Sequence, residues 1–252
     1  MSDTETIPAA TVVIFRRAAS GGPPELLLAE RSRSLSFAGG MTVFPGGRID
    51  SADRSFAATL PGKPEEAAAR VAAIRETLEE TGLAIALAAP VTAAEAERAR
   101  RQLESEGALG PVLARNGWQL DLDALVPFAR WHPRFAQSRS FDTRFYLYDL
   151  GTGAVEIAPD GSENTRLFWR SAADALAAAD RGELSVIYPT RRNLERLARS
   201  DTFRAALADA RRHPIRTITP EPIERAGATW LTIPDDLGYP VTAERMERAL
   251  RG

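Results

Sequence analysis

The chain of 252 residues has no cysteine and only two histidines. Disulfides, thiolate nucleophiles and Cys-ligated zinc are therefore excluded, a histidine-rich metal site is disfavoured, and any bound metal must be held mainly by oxygen. No apolar run approaches the roughly 20 residues of a membrane span. The opening segment, Met1 to Pro8, is acidic and polar, with neither a basic n-region nor an apolar h-region, so the expected location is cytoplasmic. Charge of one sign is also lacking. With 32 basic against 34 acidic residues and a net charge of -2, nothing draws the whole chain to nucleic acid or to an anionic membrane. No internal repeat and no long linker divides the sequence. The 44% hydrophobic and 26% charged content is that of a folded globular protein, and the expected organisation is one domain over residues 8–252.

Thr11 to Arg17 and Glu25 to Ser32 are short apolar runs separated by Ser20-Gly21-Gly22-Pro23-Pro24, the pattern of two strands and a turn. A third strand, Met41 to Phe44, runs into Pro45-Gly46-Gly47. Pro64 to Leu83 has Ala67, Val71, Ile74 and Leu78 at helical spacing and Gly82 at the C-cap position. Thr92 to Gly107 reads as a charged, solvated helix. Val126 to Trp131, Phe141 to Leu150 and Arg166 to Trp169 alternate like strands, and helical patterns occupy Ser171 to Gly182, Thr190 to Ser200 and Thr202 to Arg212. Ala228 to Ile233 returns to strand, and a short helix follows from Thr242. Strands at both ends are expected to share one mixed sheet with helices around it, an α+β architecture.

The chemistry concentrates in Phe44-Pro45-Gly46-Gly47-Arg48-Ile49-Asp50 and, downstream, Arg75-Glu76-Thr77-Leu78-Glu79-Glu80-Thr81-Gly82-Leu83. On a helix Glu76, Glu79 and Glu80 project toward one side, opposite the apolar stripe. Every amphipathic helix has a polar face, so periodicity alone describes a solvated surface equally well. Two details favour a site. Glu76 and Glu80 repel each other at i,i+4 with no base placed to relieve them, although Arg75 can pair with Glu79. A hard divalent cation such as Mg²⁺ or Mn²⁺ would relieve that repulsion with oxygen ligands alone. The glycine pair would let a backbone carbonyl at Gly46 or Gly47 approach and complete the coordination.

These residues resemble the Nudix box: Gly47, an acid six positions on at Asp53, then Arg75-Glu76-x-x-Glu79-Glu80-x-Gly82-Leu83. The acid is usually glutamate, and Thr77 stands where an aliphatic residue is usual. The spacing also departs, because 21 residues, 54 to 74, separate Asp53 from Arg75. The standard box is shorter there, so residues 54–67 are read as an insertion in the box loop. CoA diphosphatase branches of the family tolerate such an insertion after a Phe-Pro-Gly-Gly segment. Arg31-Ser32-x-x-Leu35 and Gly40 also fit the CoA-type signature, whereas Ser36, Phe37 and Met41 replace its usual Arg, His and Glu. Arg139-Ser140-Phe141-Asp142-Thr143-Arg144-Phe145 and Tyr188-Pro189-Thr190, followed by Leu194 and Leu197, are similar to the peroxisomal-type acyl-CoA diphosphatase branch. Leu250-Arg251-Gly252 is not a peroxisomal tripeptide, so that location is not carried over.

The resemblance implies a Nudix fold, an α/β/α sandwich with a mixed central sheet. Helical additions would fall at 92–117 and 171–212, the latter towards the C-terminus. It further implies metal-dependent hydrolysis of a diphosphate. Glu76, Glu79 and Glu80, with Gly46 or Gly47, would hold Mg²⁺ or Mn²⁺, and Arg75 would orient the acids. One box glutamate or Glu163 would accept the water proton. The implied partner is a small nucleoside diphosphate derivative, with CoA or acyl-CoA first and ADP-ribose, NADH, a nucleotide sugar or a dinucleoside polyphosphate as the other substrate classes. A non-catalytic Nudix-fold binding module is the remaining reading, and a homodimer is compatible with each. Arg31, Arg139 and Arg144 are the candidates for phosphate by motif position, and guanidinium geometry suits phosphate oxygens. Glu163 reads equally as an exposed loop acid and Arg144 as a solvent-facing strand residue. His132 and the tryptophans Trp118, Trp131, Trp169 and Trp230 read first as packing.

Overall fold

Residues 9–15 are buried without interruption, and they form the middle of strand β1 (Glu5–Arg16). Such a run belongs to a central strand covered on both faces. Ala10, Val12 and Ile14 enter one core cluster and Val13 and Phe15 the other. The computed structural model describes residues 5–19, 21–35, 38–134, 139–151, 157–160 and 163–249. Ser20, Ser36, Phe37, the side chain of Arg139 and residues 250–252 lie outside that set.

Strands β2 (Glu25–Arg31) and β6 (Arg139–Asp149) flank β1, the first antiparallel and the second parallel, with Ala9 opposite Thr143 and Val13 opposite Leu147. β3 (Thr42–Val43) and β7 (Asn164–Ser171) pair with β2, and β5 (Val126–Trp131) joins β6 to β8 (Thr217–Ile218). The short β4 (Gly46–Arg48) lies antiparallel on β1, placing Gly46 opposite Thr11 and Gly47 opposite Ala10. Helices α1 (Ser51–Ala57), α2 (Pro64–Thr81), α3 (Ala93–Glu106) and α4 (Leu109–Asn116) cover one face of this mixed sheet. Helices α5 (Ala172–Asp180), α6 (Tyr188–Leu197) and α7 (Phe203–Arg212) cover the other. The result is the α/β/α sandwich of the α+β class. Among the described residues no helix is long and apolar enough to cross a membrane.

Three expectations need correction. The insertion over 54–67 is not all loop: α1 runs into it, with Asp53 Oδ2 accepting the Asp50 N–H at 2.9 Å at its N-terminus. Seven residues are too few for periodicity to reveal such a helix. The polar face of α2 is not a solvated surface, since Arg75, Thr77, Glu80 and Thr81 are buried along with its apolar stripe. Its alanines let α1, α3 and the sheet pack close around it. Finally, the C-terminal strands do not extend the main sheet. β9 (Glu221–Arg225), β10 (Ala228–Thr232) and β11 (Ala243–Arg245) form their own antiparallel sheet, followed by α8 (Met246–Ala249). Ala226 and Gly227 both have positive φ, the geometry of a tight hairpin turn, so β10 finds its partner locally. Leu231 and Ile233 still enter the core cluster beneath α5 to α7.

A buried polar triangle sits in that cluster. Trp131 Nε1 donates to the Tyr239 hydroxyl at 3.1 Å and to Asn193 Oδ1 at 3.3 Å, and the Tyr239 hydroxyl donates to Asn193 Oδ1 at 2.8 Å. Asn193→Leu should remove the shared acceptor and destabilise the protein by about 2–4 kcal/mol, because it strips a buried acceptor from two donors. Tyr239→Phe, which leaves Trp131 Nε1 its bond to Asn193, should lose only about 1 kcal/mol. Urea unfolding of the two variants checks the order, and equal losses would contradict it.

Candidate active site

The site begins with the close approach of β4 to α2. Gly46 has φ +148, and a Cβ there would collide with the Ala10 carbonyl oxygen and Thr11 Cα. A Cβ on Gly47 would collide with the Glu76 carboxylate. Only glycine at position 46 lets β4 lie this close to the central strand. Gly46 N–H donates to Glu80 Oε2 at 2.9 Å, tying the turn to the helix.

Arg75 fixes the other side. Its guanidinium, 5% exposed, forks onto Asp53 at 2.9 and 3.0 Å. It also donates to Glu79 at 2.8 Å and to the Arg48 carbonyl at 3.0 Å, and it lies 3.1 Å from Glu76. Burial works against its charge, yet the Asp53 bond and the surrounding carboxylates hold it more firmly protonated than usual. The buried acid from α1 thus anchors the arginine that steers the glutamates of α2.

The glutamates remain in negative excess. Burial, reinforced by Glu80 and Glu79, pushes Glu76 up to about 8 despite Arg75. Burial pushes Glu80 up to about 7 against the pull of the neighbouring Asn164 amide and the Gly46 N–H. Glu79 is also raised by burial, against Arg75. Burial makes the ionised form of each carboxyl unfavourable, and a bound cation would favour it. Among the described residues no three acidic or imidazole groups form a ready coordination sphere. Glu79 is drawn to Arg75, while Glu76 and Glu80 meet the glycine turn. Two carboxylates with water and substrate oxygens are the usual holding of Mg²⁺, so the donor set fits a hard divalent cation. The Gly46 contact that the structure shows is its N–H on Glu80, not a carbonyl turned to a ligand.

Glu76, Glu79, Gly46 and Gly47 line a cavity of about 600 Å³ that also takes in Arg31 and Glu163. Its apolar lining includes Phe44, Trp131, Phe141, Phe145 and Ile187. A larger hollow, about 790 Å³, lies between α1, the start of α2 and α4. It contains no box carboxylate, and Arg70 there is engaged with Glu66 and Asp123, so the smaller cavity holds the chemistry. Arg31 comes from β2 and lies 3.4 Å from Glu163, which is more than half exposed. Arg31 Nε is buried with no hydrogen-bond partner among the described residues. Arg144 is placed elsewhere. Alternation along β6 turns Phe141, Thr143 and Phe145 to the cavity and Arg144 away from it, 3.5 Å from Glu66. The side chain of Arg139 is outside the described residues. His132 is buried and absent from the lining. Sequence reasoning missed Asn164, which stands beside Glu80 with no motif to mark it.

Residues 6–106 match the family model described as NUDIX domain. The acyl-coenzyme A diphosphatase NUDT19 of Gallus gallus is 28% identical, over 60% of this chain and 55% of that protein. The chain thus spans about half the length of that curated relative. A NUDIX hydrolase from Alicyclobacillus acidocaldarius, known from its crystal structure, superposes with a TM-score of 0.70 at 28% identity. That match covers 82% of this chain and 97% of the other. The fold, the box residues folded around Gly46 and Gly47, and these likenesses agree: residues 6–106 match a NUDIX domain, and the chain is similar in sequence and fold to Nudix hydrolases.

Proposed function

We propose that the protein hydrolyses a diphosphate linkage in a nucleoside diphosphate derivative, and that the substrate is CoA or an acyl-CoA, cleaved to adenosine 3′,5′-bisphosphate and (acyl-)4′-phosphopantetheine. The observation that carries the hydrolysis is the packing of Glu76 and Glu80 against Gly46-Gly47, with both carboxyls raised, where Glu76, Glu79 and Arg31 line one cavity and Glu80 is buried behind the glycine turn. The substrate choice is supported by the likeness to the acyl-coenzyme A diphosphatase and by an apolar lining beside the charged one.

Glu76, Glu79 and Glu80 would hold Mg²⁺ or Mn²⁺, which neutralises the diphosphate and lowers the pKa of the attacking water. The chain's own residues do the rest. Arg31, which lines the cavity, meets a phosphate oxygen through its guanidinium. Arg75 stays on Asp53 and acts as a positioning residue for the glutamates. Water oxygen bonds to phosphorus as its proton passes to a box glutamate or to Glu163. The bridging P–O bond breaks, and the leaving phosphate keeps the electron pair.

Three outcomes are expected. Turnover should need added Mg²⁺ or Mn²⁺ and vanish with EDTA, and full activity in exhaustively chelated protein would refute the mechanism. Glu80→Gln should lower kcat by at least about 100-fold while leaving the thermal midpoint level or higher, since a neutral amide relieves a buried charge. Gly47→Ala should keep the fold but displace the Glu76 carboxylate, for a loss of about 10–100-fold in kcat/KM. Product chromatography with CoA, dephospho-CoA, NADH and ADP-ribose under one metal concentration tests the substrate. Rapid ADP-ribose cleavage without CoA cleavage would overturn the CoA assignment and leave the diphosphate chemistry standing.

A further inference from the structure

Part of the cavity wall comes from regions beyond the 6–106 domain match: Trp131 at the end of β5, and Ile187, Pro189 and Thr190 around the start of α6. Both pieces are fastened from behind by the C-terminal stretch. The Tyr239 hydroxyl accepts from Trp131 Nε1 and donates to Asn193 Oδ1, joining β5 to α6. Next to Asn193, the Arg192 guanidinium is 1% exposed and lies over the Tyr188 ring at 5.1 Å. It donates to Glu244 Oε2 on β11 at 3.2 Å, to Glu195 Oε1 at 2.7 Å and to the Val241 carbonyl at 3.5 Å. Glu195 lies on α6 itself, so Glu244 is the carboxylate that ties this buried guanidinium to the C-terminal sheet, and losing it leaves the charge less well compensated. Neither Tyr239 nor Glu244 lines the cavity.

We infer that Tyr239 and Glu244 are positioning residues: through Trp131 and Arg192 they fix the β5–α6 wall against which the apolar or aromatic part of the substrate packs, and they leave the chemistry at α2 untouched. This rests on the cavity being the substrate site. It gives the C-terminal sheet a role in substrate affinity, although that sheet pairs with no strand of the main sheet.

The test uses the full-length protein with Glu244→Ala and Glu244→Gln. Glu244→Ala should raise KM for CoA about tenfold with kcat held within about twofold. Glu244→Gln, whose amide oxygen still accepts from Arg192, should return KM to within about twofold of the parent. Hydrogen exchange reads the same clamp without substrate: amides of residues 185–194 should exchange about tenfold faster in Glu244→Ala, while those of 64–81 stay unchanged. If Glu244→Ala does not fold, Tyr239→Phe takes its place in both measurements. Unchanged exchange over 185–194, equal acceleration over both segments, or a fall in kcat at constant KM would overturn the inference. A parent protein that cleaves no diphosphate would refute the proposed function, and the exchange measurement would then decide the clamp by itself.

Discussion

At Gly46 and Gly47 the backbone of β4 occupies space that a side chain would need, and the site depends on that vacancy. The turn is pressed between the central strand and the acidic helix, with Ala10 and Thr11 on one side and the Glu76 carboxylate on the other. A methyl group at Gly46 would push β4 off the central strand, and one at Gly47 would drive the Glu76 carboxylate out of place. Because the two layers touch here, Glu76 and Glu80 are desolvated rather than solvated. Burial is the leading cause of their raised pKa values.

Desolvated like charges are unstable neighbours, and the surrounding structure answers in two ways. Asp53 and Arg75 form a buried fork that supplies one fixed positive charge on the side of Glu79. The Gly46 N–H and the Asn164 amide supply dipoles on the side of Glu80. Neither source neutralises all the carboxylates. The remaining negative excess, set by the packing of one helix on one turn, is what a divalent cation would complete.

The other layer contributes shape in place of charge. β6 divides its side chains between the two faces, with Phe145 toward the cavity and Tyr146 toward α2, where its hydroxyl donates to Glu66 at 2.9 Å. That same alternation removes Arg144 from the cavity. It leaves Arg31, Arg48 and Arg75 as arginines of the cavity lining, Arg31 with a buried nitrogen that has no hydrogen-bond partner among the described residues. A cavity whose lining combines carboxylates, arginines and aromatic rings suits a molecule with both anionic and apolar parts.

Local pattern carried most of the elements. The buried run of β1, the Ala/Glu periodicity ending at Gly82, and the caps at Thr92, Ser171 and Thr202 are each written within a few neighbouring residues, and each directs the nearby backbone whatever the rest of the chain does. The box residues were legible for the same reason, because Arg75, Glu76, Glu79 and Glu80 lie within two turns of one helix. Contacts between distant segments were not legible. No local signal tells that Asn164 stands beside Glu80, that Arg144 faces Glu66, or that a seven-residue helix presents Asp53 to Arg75. Nor does any local pattern show that Glu244 reaches Arg192 at a sequence separation of 52. Chain order sets hydrogen-bonding patterns and periodicity, but which carboxyl is desolvated and which arginine is free are properties of packing, and packing exists only once the layers have met.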